Sequence, residues 1–191
     1  MFNVKGNLKA ITKGLSKIQK KQIPFAAANA INNTLFDIMK AEKAQMPKKL
    51  DRPKGYTVKA FQINKARKTN LVGDIHITPE RWKYLKYAVE GGTRTGNVVV
   101  PTKQATLNKF GNIKGFRGGI KLKKNQTKET INGTSGIWER SKGRTKLIYG
   151  FWNSATYKKI FPFQKIAKGV ARKKFPINFK RTLKQAIRTA K

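Results

Sequence analysis

The balance of charge constrains this chain more than any other feature. Its 191 residues include 44 Lys and Arg but only 8 Asp and Glu, which gives a formal net charge of +36. A compact state must bring these like charges together, and their repulsion opposes folding. Leu, Ile, Val and Phe still make up roughly a quarter of the chain, which is enough for a packed core. We therefore expect a folded protein that gains stability from a partner of opposite charge.

The basic residues are distributed unevenly. No acidic residue follows Glu139, and sixteen Lys or Arg residues lie between Arg140 and Lys191. A second acid-free stretch, from Gly91 to Lys128, holds nine more. Long blocks of one sign favour a polyanionic partner, which is either nucleic acid or an acidic protein surface. The alternative is a solvated face that only keeps the chain in solution.

The residue types present argue against several classes of enzyme. The chain has no Cys and a single His, so disulfides, Cys/His zinc sites and thiol catalysis are excluded, and a Ser-His-Asp triad would depend on His76 alone. The few carboxylates are dispersed, which disfavours a metal-dependent nuclease. The Gly-Lys pair of a phosphate-binding P-loop does not occur. We predict no catalytic activity, no metal and no cofactor.

The N-terminal residues indicate a basic helix. Leu8, Ile11, Leu15 and Ile18 recur at steps of three and four, which predicts a helix over residues 5–21. Lysines recur every four residues on the same segment and would wind around that helix as a ribbon. The segment contains no continuous apolar stretch, so we expect neither a secretory signal nor a membrane span.

Breaker residues and hydrophobic spacing predict the elements up to residue 100. His76 falls between two isoleucines on a strand and faces away from them, so we interpret it as a hydrogen-bonded or exposed strand residue. In chain order we expect a helix from Pro24 to about Ala44, a loop-like connector flanked by Pro47 and Pro53, strands at Phe61–Ile63 and Leu71–Ile77, a helix from Pro79 that ends at Gly91-Gly92, and a strand at Val98–Val100.

Glycine is concentrated between Gly91 and Gly143, where ten of the sixteen glycines lie. This spacing is typical of a long hairpin arm or of a loop that orders on assembly. The run Gly91–Gly96 could cradle an anion with its backbone amides, but a helix cap is the more frequent use of such glycines. After the arm we expect a hairpin of Gly136–Arg140 and Thr145–Phe151 with the turn Ser141–Arg144, then a helix from near Pro162 that kinks or restarts at Pro176.

Together these elements predict an α+β fold. It has N-terminal helices, a small antiparallel β-sheet with an extended hairpin or loop arm, and a basic C-terminal helix. We expect one domain over residues 1–191, divided into N-terminal helices (1–46), short strands and a helix (47–100), the glycine-rich arm or loop (101–134), the hairpin (135–157) and the basic helix (158–191).

Two sets of basic residues are the candidate binding groups for nucleic acid or an acidic partner. They are Lys165, Lys168, Arg172, Lys173, Lys174, Arg181, Lys184 and Arg188 in the C-terminal helix, and Lys5, Lys9, Lys13 and Lys17 in the N-terminal ribbon. No motif for reading bases is present, so phosphate contacts should dominate any binding of nucleic acid. The aromatic residues Trp82, Tyr84, Tyr87, Trp138, Tyr149, Trp152 and Tyr157 fit a core better than a stacking surface.

The order of segments resembles one family of proteins. The segments are Pro24–Thr34, the corner Glu90-Gly91-Gly92-Thr93, Gly136–Arg140 followed by Leu147–Gly150, and a C-terminal helix rich in Lys and Arg. In this order they are similar to the minor tail protein Z and tail-completion group of tailed bacteriophages. The resemblance covers most of the chain except residues 101–131.

This resemblance implies a structural virion protein without enzymatic activity. Members of the group form rings at the head–tail junction or upper tail, around the channel for DNA. It further implies a homo-oligomer made in the host cytoplasm, which contacts other tail, neck or portal proteins and meets packaged DNA without sequence specificity. No membrane partner is expected. The alternative that the charge leaves open is a sequence-non-specific nucleic-acid-binding protein, nucleoid-like or ribosome-associated.

Overall fold

The computed structural model describes residues 1–5, 17–114 and 119–189. Helices combine with antiparallel strands, so the predicted α+β class is confirmed. In chain order the elements are β1 (Phe2–Lys5), α1 (Lys17–Lys49), α2 (Gly55–Val58), β2 (Phe61–Asn64), β3 (Val72–Ile77), α3 (Pro79–Val89), β4 (Gly92–Pro101), β5 (Gln126–Ile131), β6 (Thr134–Ser141), β7 (Arg144–Tyr157) and α4 (Phe163–Thr189). They form two compact units, one of residues 1–85 and 161–191 and the other of residues 86–160.

The first unit contains a three-stranded antiparallel sheet with the order β1-β3-β2. One face of the sheet packs on α1, and Gly73 in β3 marks the closest approach. A Cβ atom at Gly73 would lie 2.7 Å from Leu35 Cδ1 and 3.1 Å from Ile31 Cγ2, two side chains that are buried on α1. Ile75 and Ile77 share this buried face, because side chains alternate along a strand. The helix therefore covers the apolar face of the sheet.

Helices α1 and α4 pack in opposite directions along each other. Thr182 of α4 donates a hydrogen bond to the carbonyl oxygen of Ala26, whereas Asn178, one turn earlier, reaches Thr34 and Asp37 further along α1. The N-terminal half of α1 is rich in fully buried alanines at positions 26, 27 and 30. Side chains this small permit a close approach of helices.

The second unit contains a four-stranded antiparallel sheet with the order β4-β7-β6-β5. Its core consists of Ile137, Ile148 and Tyr149, against which Val99, Ala105, Ile113, Ile120 and Phe151 pack. Three of these packing residues come from the chain between β4 and β5, so that segment covers the core of the sheet.

The predicted hairpin is present as β6 and β7, but its turn is tighter than expected. Lys142 and Gly143 alone connect the strands, with φ of 49° and 73°, as a two-residue turn that twists with the strands requires.

The predicted boundary between two N-terminal helices is wrong. Lys5 lies in β1, where it is in register with Val72, because Phe2–Lys5 alternates apolar and polar residues as a strand does. Residues 6–16 of the predicted helix lie outside the described residues. From Lys17 onward α1 runs through Pro24 without interruption. Proline in a helix costs about 3 kcal/mol, and the buried residues on both sides of Pro24, Ile23 and Ala26–Ala28, offset that cost.

Three further boundaries differ from the sequence prediction. Pro47 lies inside α1, so the connector before α2 begins only at Leu50, and α4 continues through Pro176 without restarting. The region 101–134 is not wholly an arm or loop, because residues 126–131 form the edge strand β5. The sequence does not reveal this strand, because Gln126–Ile131 is polar except at its last position and three of its six residues are exposed. The strands also form two sheets rather than the single sheet expected.

Candidate polyanion-binding surface

Helix α4 carries the densest group of exposed basic side chains predicted from the sequence. All eight predicted residues of the C-terminal helix are exposed, and Lys180, which was not among them, is exposed on the same helix. We call this set the basic α4 surface: Lys165, Lys168, Arg172, Lys173, Lys174, Lys180, Arg181, Lys184 and Arg188. Helix α4 contains no acidic residue. At about 1.5 Å per residue the surface extends about 35 Å along the helix.

The spacing along α4 explains why these side chains face solvent. Residues 165, 168 and 172 are three and four apart, and residues 180, 184 and 188 are four apart, so each series follows one side of the helix. Phe163, Ala167, Asn178, Thr182 and Ala186 lie on the buried side. The two basic series lie on different sides of α4, and both avoid the positions that pack.

Hydrogen bonds to α1 fix the rotation of α4. The side-chain amide of Asn178 donates to Thr34 Oγ1 at 3.2 Å and to Asp37 Oδ2 at 2.9 Å. Arg181 donates in turn to the Asn178 side-chain oxygen at 3.2 Å. Buried polar groups require such partners, so rotating α4 about its axis would leave these groups unsatisfied. The direction in which the basic α4 surface points is thus set by the interface with α1.

Acidic groups elsewhere are engaged with their own neighbours. Asp51 pairs with Arg52 at 2.9 Å and Glu129 pairs with Arg140 at 2.8 Å, and in each case the hydrogen bond from the arginine lowers the pKa of the carboxyl group. His76 Nδ1 lies 2.9 Å from Asp74 Oδ2. Within the described ranges, no ion pair involves a residue of α4. The charge of this surface is therefore not neutralised by these carboxylates.

The structure describes two residues of the predicted N-terminal ribbon, Lys5 and Lys17, and these two do not share a helix. Lys5 belongs to β1 and Lys17 begins α1. Lys9 and Lys13 lie outside the described residues. The spacing of four that suggested a helix therefore begins on a strand.

The other residues singled out from the sequence have structural roles. His76 lies on β3, and the neighbouring Asp74 also accepts two contacts from the Asn64 amide at 3.1 and 3.2 Å. Gly91 ends α3 with φ of 77°, and its N–H donates to the carbonyl oxygen of Tyr87, so the helix-cap interpretation of this glycine is confirmed. Residues Gly92 to Gly96 belong to strand β4.

The seven aromatic residues range from buried to exposed, and Trp82, Tyr87 and Trp138 are half-buried. Tyr149 is buried as expected. Tyr84, Trp152 and Tyr157 are exposed, so a core role for these three is wrong. Sequence spacing did not distinguish these exposed rings from the buried ring of Tyr149. A strand or helix that packs on one side can still leave a large ring exposed beside its buried face.

One buried group was missed by the sequence prediction. Glu42 on α1 is fully buried, and neither carboxylate oxygen has a hydrogen-bond partner among the described residues. Burial raises the pKa of Glu42 to about 8. The spacing of Glu42 in the sequence could have indicated its burial. Residues 34, 38, 42 and 46 are four apart, and all of them lie on the buried side of α1.

Among the described residues no group of three His, Asp or Glu is placed to hold a metal ion, and no described helix is long and apolar enough to span a bilayer. Comparison with protein-family models, curated proteins and solved structures finds no match to this chain.

Proposed function

We propose that this chain is a structural virion protein of a tailed bacteriophage, which completes the tail or neck at the head–tail junction by ring assembly around the DNA channel. The proposal depends on the family resemblance and on the charge distribution. Its alternative is a sequence-non-specific nucleic-acid-binding protein, which the same charge favours without the ring.

The placement of the family-like segments supports this proposal. Pro24–Thr34 lies on α1, where its alanines are buried. Glu90–Thr93 connects α3 to β4, and Gly136–Arg140 and Leu147–Gly150 lie on the adjacent strands β6 and β7. Each of these segments thus lies on or beside a helix or strand of one of the two units. The basic helix α4 follows them in the chain, as the resemblance implies.

The basic α4 surface is the observation that carries the proposal. Nine like charges along one helix repel one another, and in an isolated helix each close pair costs about 0.2–0.5 kcal/mol. The phosphates of DNA or the carboxylates of an acidic protein surface would remove that cost on binding. A protein that lines a channel for DNA, or docks on acidic virion proteins, has this requirement.

Exposed apolar side chains support assembly into an oligomer. On the first unit Phe25 and Ile177 are 50% and 60% exposed, and on the second unit Val100 and Trp152 are 43% and 44% exposed. Large apolar side chains at a surface are candidates for burial against another subunit. In a chain of net charge +36, such contacts also require neutralisation of the repulsion between copies.

Light scattering of the purified protein tests the assembly proposal. After nuclease digestion, in about 1 M salt, electrostatic contacts with nucleic acid are screened. A discrete multimer supports ring assembly through protein–protein contacts. A monomer that binds duplex DNA when the salt is lowered supports the alternative function, and a monomer with no affinity for DNA contradicts both.

A further inference from the structure

Two tyrosines project from neighbouring elements of the first unit. Tyr56 lies on α2 and is 54% exposed, and Tyr84 lies on α3 and is 42% exposed. The hydroxyl oxygen of Tyr84 is 3.2 Å from Thr57 Oγ1. This hydrogen bond links the Tyr84 side chain to α2, the helix that carries Tyr56. We call this pair the tyrosine platform.

Arg81 holds Tyr56 in place. Its Nε donates to the Tyr56 carbonyl oxygen at 2.9 Å and its Nη1 donates to Thr78 Oγ1 at 2.9 Å. The guanidinium carbon lies 4.0 Å from the centre of the Tyr56 ring, within the range of a cation–π contact. The Arg81 side chain is only 17% exposed. Because the guanidinium covers one face of the ring, the exposed area of Tyr56 belongs mainly to its other face and its edge.

The surroundings of the platform are basic. Lys59 follows α2 and Lys83 precedes Tyr84 on α3, and both are exposed. The acid on this part of α3 is Glu80, whose carboxylate lies 4.0 Å from Arg81. Exposed rings beside lysines offer a π-face for a base and a positive charge for a phosphate.

We propose that the tyrosine platform binds single-stranded nucleic acid, with an unpaired base stacked on Tyr56, a second on Tyr84, and lysines 59 and 83 near the phosphates. In a duplex each base is covered by its neighbours on both faces, so stacking on a protein ring is available only to unpaired bases. A protein partner would need an apolar surface to bury, whereas the exposed neighbours named here, Lys59, Lys83 and Glu80, are all charged. The platform shares no residue with the basic α4 surface, and the proposal does not depend on ring assembly.

Fluorescence anisotropy with a labelled thymidine oligonucleotide of about 12 nucleotides tests this proposal, with duplex DNA of equal length measured in parallel. The variants Tyr56→Leu and Tyr84→Leu remove the stacking ring. We expect each to weaken binding of the single strand by about 5- to 100-fold and to change duplex affinity less than twofold. Tyr56→Phe and Tyr84→Phe keep the ring and should retain single-strand affinity within about threefold.

Phe36→Leu is the matched control, since it removes an exposed ring from α1 in the same unit. Equal losses for single strand and duplex, or a loss in the control as large as in the tyrosine variants, would overturn the proposal. Ultraviolet cross-linking of the unmodified protein to the oligonucleotide adds a readout that needs no variant. Cross-links at Tyr56 or Tyr84 support the platform, and cross-links confined to other peptides contradict it.

Discussion

At the scale of single residues, Glu42 is unusual because it is an acidic side chain buried without a hydrogen-bond partner among the described residues. A buried carboxyl group without a partner is far more stable protonated, because burial penalises its charged form. With a pKa near 8, Glu42 is mostly neutral at pH 7 in the folded chain. In the unfolded chain it ionises with the ordinary pKa of about 4.5. The folded state therefore binds more protons than the unfolded state between these two values.

This difference predicts how stability depends on pH. The contribution of Glu42 is most favourable below pH 4.5 and is lost progressively as the pH rises to about 8. The loss amounts to a few kcal/mol, since each unit of pKa shift corresponds to about 1.4 kcal/mol. Glu42→Gln should remove this component, as seen in urea unfolding at several pH values. Glu80→Gln, at an exposed position, is the control, and an unchanged pH dependence in Glu42→Gln would contradict the account.

Gly73 offers a test of the contact between sheet and helix. Gly73→Ala places a methyl group 2.7 Å from Leu35 Cδ1 and 3.1 Å from the Asn64 carbonyl oxygen, so the Leu35 side chain, the strand or the helix must shift. We expect a loss of about 1–3 kcal/mol in the free energy of unfolding, as overpacking of cores typically costs. Gly55→Ala is the matched control, because nothing lies within 4 Å of a Cβ atom there. Equal stability of the two variants would show that α1 does not sit against β3 as described.

At the scale of elements, the sequence predicts a helix or strand correctly where several local signals agree and tertiary packing does not override them. The helix from Pro79 and the strand at residues 61–63 are correctly predicted, because flanking breakers and hydrophobic spacing agree. Pro24, in contrast, is a strong local signal that tertiary packing overrides, since the residues around it are buried. Strand β5 was missed because an edge strand with an exposed face carries no hydrophobic alternation. The basic α4 surface was predictable because one helix holds all of it, whereas the platform depends on a contact between α2 and α3.

The interface of α1 and α4 makes its own prediction. Asn178→Ala removes the amide that bridges Thr34 and Asp37, and leaves Asp37 without that donor. We expect a loss of about 1–3 kcal/mol in unfolding free energy, as for an unsatisfied buried polar group. Gln185→Ala, at an exposed position on the same helix, should stay within about 0.5 kcal/mol of the unmodified protein. A neutral Asn178→Ala would contradict the bridge that fixes the rotation of α4.

At the scale of the whole molecule, the excess of positive charge connects stability, assembly and binding. A chain of net charge +36 gains stability when salt or a polyanion screens its repulsion. Evenly spread charge would produce only a general electrostatic effect, whereas charges held together on one element form a binding surface. On α4 the basic residues share one element whose orientation is fixed, while the exposed lysines 103, 121, 123 and 124 lie on described residues that belong to no helix or strand.

We propose that the basic α4 surface is the main polyanion-binding surface of this chain. The direct test compares two variants with the same change in net charge. One neutralises five residues of α4, with glutamine at positions 165, 168, 172, 180 and 184. The other neutralises five exposed lysines of the second unit, with glutamine at positions 103, 121, 123, 124 and 142.

The measurement is the affinity for duplex DNA as a function of salt. Each lost phosphate contact lowers the slope of log affinity against log salt by about 0.9. We predict that the α4 variant loses several such contacts and at least tenfold in affinity at physiological salt, while the matched variant loses about one contact or none. Equal losses in the two variants would show that net charge alone governs binding, and would contradict the assignment of this function to α4.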